Sequence, residues 1–391
     1  MSDDDDDDDD DDVPEGAAGA DGTSAIEEED TGDPSDLRSK YDPSLIRVDP
    51  RTFSLHQVLD MIDAGEMDLT PDFQRNKVWK PWQKSRLIES IFLRIPLPAF
   101  YFAADGDGLI HVVDGLQRLS TVYDFVNGAR GFSTLSGLQY LTAEQLGGLT
   151  WDTVGGSWKR RLHTTQIFAQ VIDPQTPLPV KLEIFQRLNQ GGAPLTAHEI
   201  RNSISRKRSR DFLRELANSP AFLQATGSVF ADHPRMADFE AVLRVCAFRI
   251  EADLGRYEDF GGLDDFLTAA ARRLDNEKKF PAARLEQLRT EFERAMHSAL
   301  GIFGKHAFRK QRRVAGYLFP INKALLESWG CVLADYQWKQ LEPKAAAIGA
   351  AFRTRLLRRD EYWQAITSNT TSVSNVRLRF RVARDILKEC L

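Results

Sequence analysis

The stretch Leu109–Val126 constrains the fold more than any other, because it joins an apolar run to an amphipathic one through an abrupt polar corner. Leu109–Val113 is rich in branched side chains and follows Asp105-Gly106-Asp107-Gly108, a turn signal, so it reads as a strand. From Leu119 the apolar residues recur at Leu119, Val122, Tyr123 and Val126, which is helical spacing. Asp114-Gly115-Leu116-Gln117-Arg118 therefore sits where a strand hands over to a helix. The N-terminus of a helix offers unpaired N–H groups and the positive end of a dipole. An Arg placed there suits an anion, with phosphate the first candidate. A strand–turn–helix with one Arg is also common as plain structure, so the surrounding sequence has to decide.

On the N-terminal side, Leu55, Val58, Leu59 and Ile62 have helical spacing, with Ser54 as N-cap and Gly65 as stop. Pro81 opens a second helix that carries Trp82, Leu87, Ile88, Ile91 and Phe92 and ends before Pro96. Residues 98–102 read as a strand, with 109–113 as its antiparallel partner. Gln166–Ile172 is a further strand, closed by Asp173-Pro174. Residues 181–192 read as a helix ended by Gly191 and Gly192. Thr196 with Glu199 forms a capping-box pair, and Leu195 with Ile200 a hydrophobic staple, so another helix begins there. The expectation is an α+β unit over residues 41–215, a small mixed sheet with helices packed on it. From residue 216 to 391, amphipathic stretches predict a mostly α-helical half. They are marked by Phe239, Val242, Leu243 and Ala247, then Leu263, Phe266 and Leu267, then Arg284–Phe303 and Ile321–Leu333.

The formal net charge of −7 hides an uneven distribution. Residues 1–34 hold 13 Asp, 4 Glu and no Lys or Arg, which leaves 41 acids against 51 Lys plus Arg in the body, about +10. Residues 1–40 are expected to be a disordered acidic tail. A sharper reading makes the tail a polyanion mimic that competes with nucleic acid for the basic body. Arg206, Lys207, Arg208 and Arg210, in a dense basic run, are candidate phosphate contacts. Two later clusters, Lys305–Arg313 and Arg353–Arg384, interleave Arg and Lys with Phe308, Tyr317, Phe352, Tyr362, Trp363 and Phe380, a pattern suited to backbone-plus-stacking contact.

Several classes find no support. Cys246, Cys331 and Cys390 are far apart and form no CxxC, which fits a reducing cytoplasm. There is no signal peptide pattern and no apolar run long enough for a membrane span, so the expected location is cytoplasmic. No GxxxxGK[ST], HExxH or GxSxG occurs. The seven His are scattered and suggest neither a metal site nor a His-centred nuclease. What remains is polar and set at element boundaries: Gln74 and Arg75, then Asp114, Gln117 and Arg118, then Arg187 and Asn189. If these converge, Arg supplies charge for phosphate, Gln and Asn orient it, and Asp114 meets a metal-bound phosphate or an attacking water.

Five motifs in order over roughly residues 55–205 resemble the GmrSD-type restriction family, in its GmrS-like N-terminal domain. They are Asp72-Phe73-Gln74-Arg75 with Val78-Trp79; Leu87-Ile88-Glu89-Ser90-Ile91 leading to Ile95-Pro96-Leu97-Pro98; Asp114-Gly115-Leu116-Gln117-Arg118-Leu119-Ser120-Thr121; Phe185-Gln186-Arg187-Leu188-Asn189-Gln190-Gly191-Gly192; and Pro194-Leu195-Thr196 with Glu199-Ile200-Arg201-Asn202. The resemblance implies a ParB/sulfiredoxin-like fold around the Asp-Gly-x-Gln-Arg corner. It also implies nucleotide binding and hydrolysis in a prokaryotic defence system that senses modified DNA. Carried over by position, Asp114, Gln117 and Arg118 become catalytic candidates, and Gly115, Gln74, Arg75, Arg187 and Asn189 nucleotide-binding ones. The cofactor implied is a nucleoside triphosphate, with Mg2+ as its natural counter-ion. The partners implied are DNA, modified or not, and a separate nuclease chain. The family has Gln where this chain has Leu116, and its His-based nuclease domain is not recognisable here. Two readings stay open: an NTP-hydrolysing, DNA-associated defence protein, and a non-catalytic DNA-binding or interaction module whose nucleotide site has decayed. A nuclease acting alone fits least.

Overall fold

The computed structural model of the 391-residue chain describes residues 25–30, 46–69, 79–106, 108–128, 132–141, 143–176, 180, 181, 184, 185, 197–231, 236–251, 254–311 and 318–391. Its N-terminal half runs β1 (Val48–Ser54), α1 (Leu55–Asp63), β2 (Met67–Asp68), α2 (Pro81–Phe92), β3 (Phe100–Ala104), β4 (Ile110–Asp114), α3 (Leu116–Asn127), α4 (Ala143–Leu146), α5 (Gly156–Thr164) and β5 (Gln166–Ile172). The strands form one five-stranded sheet in the order β1-β5-β3-β4-β2. β1 is antiparallel to β5, with Val48 opposite Ile172 and Ser54 opposite Gln166. β3 is antiparallel to β4 and parallel to β5, and β2 is parallel to β4. The mixed sheet and the β3–β4 pairing are as the sequence predicts.

Local chemistry explains the helix starts. Ser54 caps α1 by accepting the Gln57 N–H, and Gln57 returns the contact to the Ser54 N–H at 2.9 Å. Pro81 occupies the first position of α2, where no N–H is needed. The sequence reading omits β1, β2, α4 and α5, and β1 is the longest strand among them. Its Pro50 breaks the strand pattern, yet an edge strand tolerates a residue with no N–H to donate.

Strand alternation divides the core. Phe100, Phe102, Ile110 and Val112 face the helices α1, α2, α3 and α5 and join Leu55, Ile88, Phe92, Leu119 and Phe125. Ala103 and Val113 face the other way, with Ile172 and Phe185. Glu89, buried on α2, ties down the chain that follows α3: its carboxylate accepts the backbone N–H groups of Gln139, Tyr140 and Leu141 at 2.7–3.0 Å. Burial opposes the charge, but these N–H groups and Arg86 hold the carboxyl below its ordinary range. The Glu of the Leu-Ile-Glu-Ser-Ile motif is thus a loop anchor.

The C-terminal half is helical: α6 (Ala197–Ile204), α7 (Lys207–Ala217), α8 (Pro220–Thr226), α9 (Ala237–Ile250), α10 (Leu263–Asp275), α11 (Ala282–Phe303), α12 (Lys323–Leu333), α13 (Trp338–Leu341), α14 (Ala345–Leu357), α15 (Glu361–Ala365) and α16 (Val373–Cys390). One core runs through it, and α12 is buried on all sides from Ala324 to Leu333. No described helix is long and apolar enough to cross a membrane.

Residues 25–30 lie inside the stretch expected to be a disordered tail, and for them the expectation is corrected. Ile26 bridges to Ile321, with the Glu27 N–H donating to the Ile321 carbonyl at 2.9 Å. Glu27 accepts from Lys310 and from Asn322 at 3.0 Å. Glu29 takes both terminal nitrogens of Arg244, at 2.8 and 2.6 Å, and lies 3.8 Å from Lys323. Glu240 meets Arg244 at 2.7 Å and Lys323 at 3.1 Å. Glu327 pairs with Arg379 and sits 3.5 Å from Arg244. Three carboxylates thus face three cations in the middle of the helical half. The sequence displays the charge of Glu29 but not the buried cations that neutralise it. Residues 1–24 and 31–40 lie outside the described residues.

Burial alone would raise the carboxyls of Glu29 and Glu240. Arg244 and Lys323 outweigh it and hold both below the ordinary range. A carboxyl depressed in the folded state contributes stability at neutral pH that is lost as pH falls through the carboxylate range. Glu29→Gln is therefore expected to lower stability by about 3 kcal/mol, since one partner of a buried ion cluster is removed. It should also flatten the loss of stability below about pH 4.3, where a free Glu titrates. Thermal unfolding at pH 7 and pH 4 checks both; an unchanged melting temperature at pH 7 would show that the segment is dispensable.

Candidate functional site

The corner between β4 and α3 is built around Gly115. Its φ of +96° lies in the left-handed region, where glycine is strongly favoured. A Cβ on Gly115 would fall 2.2 Å from Cδ1 and 2.7 Å from Cε1 of Phe100. The ring of Phe100 is covered in turn by the Arg118 guanidinium, 4.1 Å from the ring centroid. Arg118 donates to the Pro98 carbonyl, to the Ala99 carbonyl at 3.2 Å and to Asp114 Oδ2 at 2.8 Å. Burial lowers the basicity of Arg118 and Asp114 restores only part of it, so the net shift is downward. Three of its five N–H donors are committed within the corner. Arg118 therefore fixes the approach of β3 to the start of α3.

The structure brings Asp114, Gly115, Gln117 and Arg118 together on one strand end and one helical turn. Asp114 is half-exposed, its side chain 42% accessible, while that of Arg118 is 13% accessible. Leu116, the residue that departs from the family pattern, is buried in the core at 3% exposure. The Gln117 carbonyl accepts from Thr121 Oγ1 at 2.7 Å. The corner thus presents the first-turn N–H groups of α3 to an anion, beside one accessible carboxylate that would face it only through a cation. Gln74, Arg75, Arg187 and Asn189 lie outside the described residues, as do Thr196 and the side chain of Glu199. Among the described residues, no group of three or more His, Cys, Asp or Glu is arranged to hold a metal ion.

The basic run proposed for nucleic acid is largely turned inward. Arg210 is buried, pairs with Asp68 of β2 and donates to the Ser205 carbonyl at 2.9 Å. Arg208 donates to the carbonyls of Leu274 and Phe280. Arg206 pairs with Asp105 at 3.0 Å. Lys207 stays exposed, paired with Asp211 one turn on. For Arg210 the expectation of phosphate contact is corrected, because its guanidinium joins the two halves of the molecule. The aromatic residues of the later clusters behave likewise: Phe308, Phe352, Tyr362 and Phe380 are buried in the helical core. The sequence reading passed over His111. Its signal was available, since it alternates with Ile110 and Val112 and so faces the opposite side of the sheet.

A mixed sheet with helices on one face and a glycine-cornered strand–helix junction carrying Asp, Gln and Arg defines an α+β domain with a polar corner. Residues 55–205 match the family model described as GmrSD restriction endonuclease, N-terminal domain. The chain thus carries a GmrSD-type N-terminal domain, the mark of a restriction-system, or defence, protein. No curated protein shows significant similarity to the chain.

Gly115→Ala is expected to cost about 1–3 kcal/mol from the positive φ and the overlap with Phe100. A urea titration reads this as a lower midpoint with an unchanged slope. A midpoint equal to the wild type would mean that the corner is not packed as described.

Proposed function

We propose that the chain is a nucleotide-binding, NTP-hydrolysing protein of a prokaryotic restriction system that associates with DNA, on a ParB/sulfiredoxin-like frame. The observation that carries this reading is the Asp114–Arg118 corner inside a GmrSD-type domain, where an accessible carboxylate and a helix N-terminus meet. In this reading the first-turn N–H groups of α3 hold a phosphate and Gln117 orients it. Asp114 meets a phosphate-bound Mg2+ or aligns the attacking water, and Arg118 positions Asp114. A single accessible carboxylate suits Mg2+ carried in on the phosphates, since that ion keeps most of its own waters. Gln74, Arg75, Arg187 and Asn189 complete the proposed set. Strand cleavage belongs to a separate nuclease chain.

DNA contact falls to the arginines that remain exposed. Arg353 on α14, Arg358 and Arg359 just after it, and Arg381 and Arg384 on α16 present charge on two packed helices. Lys207 is the exposed member of the earlier run.

The second reading, an interaction module without turnover, is favoured by two observations. Leu116 is committed to the core, and Arg118 to its own corner. Binding and turnover of the four NTPs with Mg2+, with and without modified DNA, separate the two readings. The expected outcome is turnover by the wild type and a loss of at least about tenfold in Gln117→Ala and Asp114→Asn, equivalent to one lost charge-assisted contact. Binding without turnover would select the second reading, and no binding of any NTP would overturn nucleotide function. DNA affinity should fall steeply with salt, and less steeply in Arg381→Gln/Arg384→Gln.

A further inference from the structure

The second face of the sheet meets the helical half across a cleft of about 410 Å3. It lies at the β3–β4 turn, the opposite end of β4 from the Asp114 corner, and Ala103, Ala104 and Pro174 contribute small apolar walls. Its charges do not cancel locally. Arg206 is neutralised by Asp105 at 3.0 Å. Asp275 is occupied by the backbone N–H groups of Arg206 at 3.0 Å and Ser209 at 2.9 Å, at the start of α7. Two cations remain, Lys181 and Arg272, and among the described residues neither has a carboxylate within 4.0 Å. Lys181 is 5% exposed and donates to the Pro174 carbonyl at 3.2 Å. Burial lowers its basicity, and Arg272 nearby lowers it further. Asp173 and Asp105 act in the opposite sense from a distance and offset only part of this, so an anion that joins the buried ammonium is favoured.

His111 supplies a second, independent observation. It is 2% exposed and lines the same cleft, and neither ring nitrogen makes a hydrogen bond. Asp105 Oδ2 lies 3.9 Å from Nε2, an electrostatic contact that helps keep Asp105 ionised but is longer than an ordinary hydrogen bond. Buried polar atoms of this kind are normally satisfied. Two cations with no carboxylate within 4.0 Å, beside a buried imidazole, fit a multiply charged anion with several acceptor oxygens better than a single carboxylate. The volume is at the small end of ligand sites. Among the described residues no Phe, Tyr or Trp lines it, so recognition would rest on the anionic group and not on a base stacked on such a ring.

We propose that this cleft is a binding site for a small phosphorylated anion, held by Lys181 and Arg272 with His111 as a hydrogen-bonding partner. It is separate from the corner assigned to nucleotide above. Because Lys181 and His111 come from the sheet half and Arg272 from α10, the bound anion ties the two halves together.

The test is calorimetric titration of the full chain with inorganic pyrophosphate at constant ionic strength, with thermal unfolding in parallel. Saturable binding with a raised melting temperature is expected. Measured in a Gln117→Ala background, so that the Asp114 corner does not contribute, affinity should fall about tenfold or more in Arg272→Gln and in Lys181→Met, the loss of one charge-assisted contact each. Arg272 is exposed, so its substitution carries little risk to folding and keeps the test decisive if the Lys181 variant unfolds. Absence of binding overturns the proposal. Equal affinity with and without Arg272→Gln overturns it by placing the anion elsewhere. If Arg272→Gln leaves pyrophosphate binding intact and weakens only duplex DNA, the cleft contacts nucleic acid and the small-anion proposal fails.

Discussion

Burial of guanidinium groups is the constraint on which the architecture turns. A guanidinium stays charged at any ordinary pH, so once buried it must be met by carboxylates or carbonyls. Arg244, inside the helical half, draws in Glu29, Glu240 and Glu327 from three separate parts of the chain. Arg210 brings Asp68 of β2 to the helical half, and Arg201 of α6 meets Asp264 of α10. Arg118 does the same on a smaller scale, drawing Pro98, Ala99 and Asp114 around one ring. The planar fork of Arg suits this role in a way that Lys does not. Each of these contacts is costly to break from one side only, because the partner is left charged and buried.

That habit explains which parts of the molecule were legible in the sequence. Elements set by local rules were readable. Ser54 and Gln57 announce α1, Pro81 opens α2, and the branched run before Gly115 gives β4. The helices around Phe239, Leu263 and Leu325 follow from apolar spacing alone. β1 escaped because Pro50 masks a strand that only its edge position permits. The roles of the charged residues were not readable, since they depend on partners up to 341 positions away. Arg206, Arg208 and Arg210 look like a surface stripe in sequence. In space they meet Asp105, two carbonyls and Asp68.

The corner was legible as a motif and less so as a mechanism. Spacing placed Asp114, Gln117 and Arg118 on one turn, and the structure agrees. Spacing could not show that Phe100 fills the place of a Gly115 side chain, or that Arg118 is committed there. Nor could it show that Leu116 is a core residue, 3% exposed, so that its departure from the family pattern is also a packing requirement. The corner is preorganised by packing, and its accessible chemistry is narrowed to Asp114 and the backbone of α3.

The docking of residues 25–30 also has a consequence in time. Thr370 donates to Glu29 across 341 positions of sequence, and Ile26 bridges to Ile321. On a ribosome the acidic strand emerges long before its partners: Arg244 follows Glu29 by 215 positions, and Thr370 by 341. At ordinary translation speeds of 5–20 residues per second that gap lasts roughly 20–70 s. Within that interval Arg244 is made after Glu29 and Glu240, and Lys323 and Glu327, which complete its surroundings, follow it. The Glu29–Thr370 contact closes a loop across 341 positions, the non-local kind of contact that forms slowly.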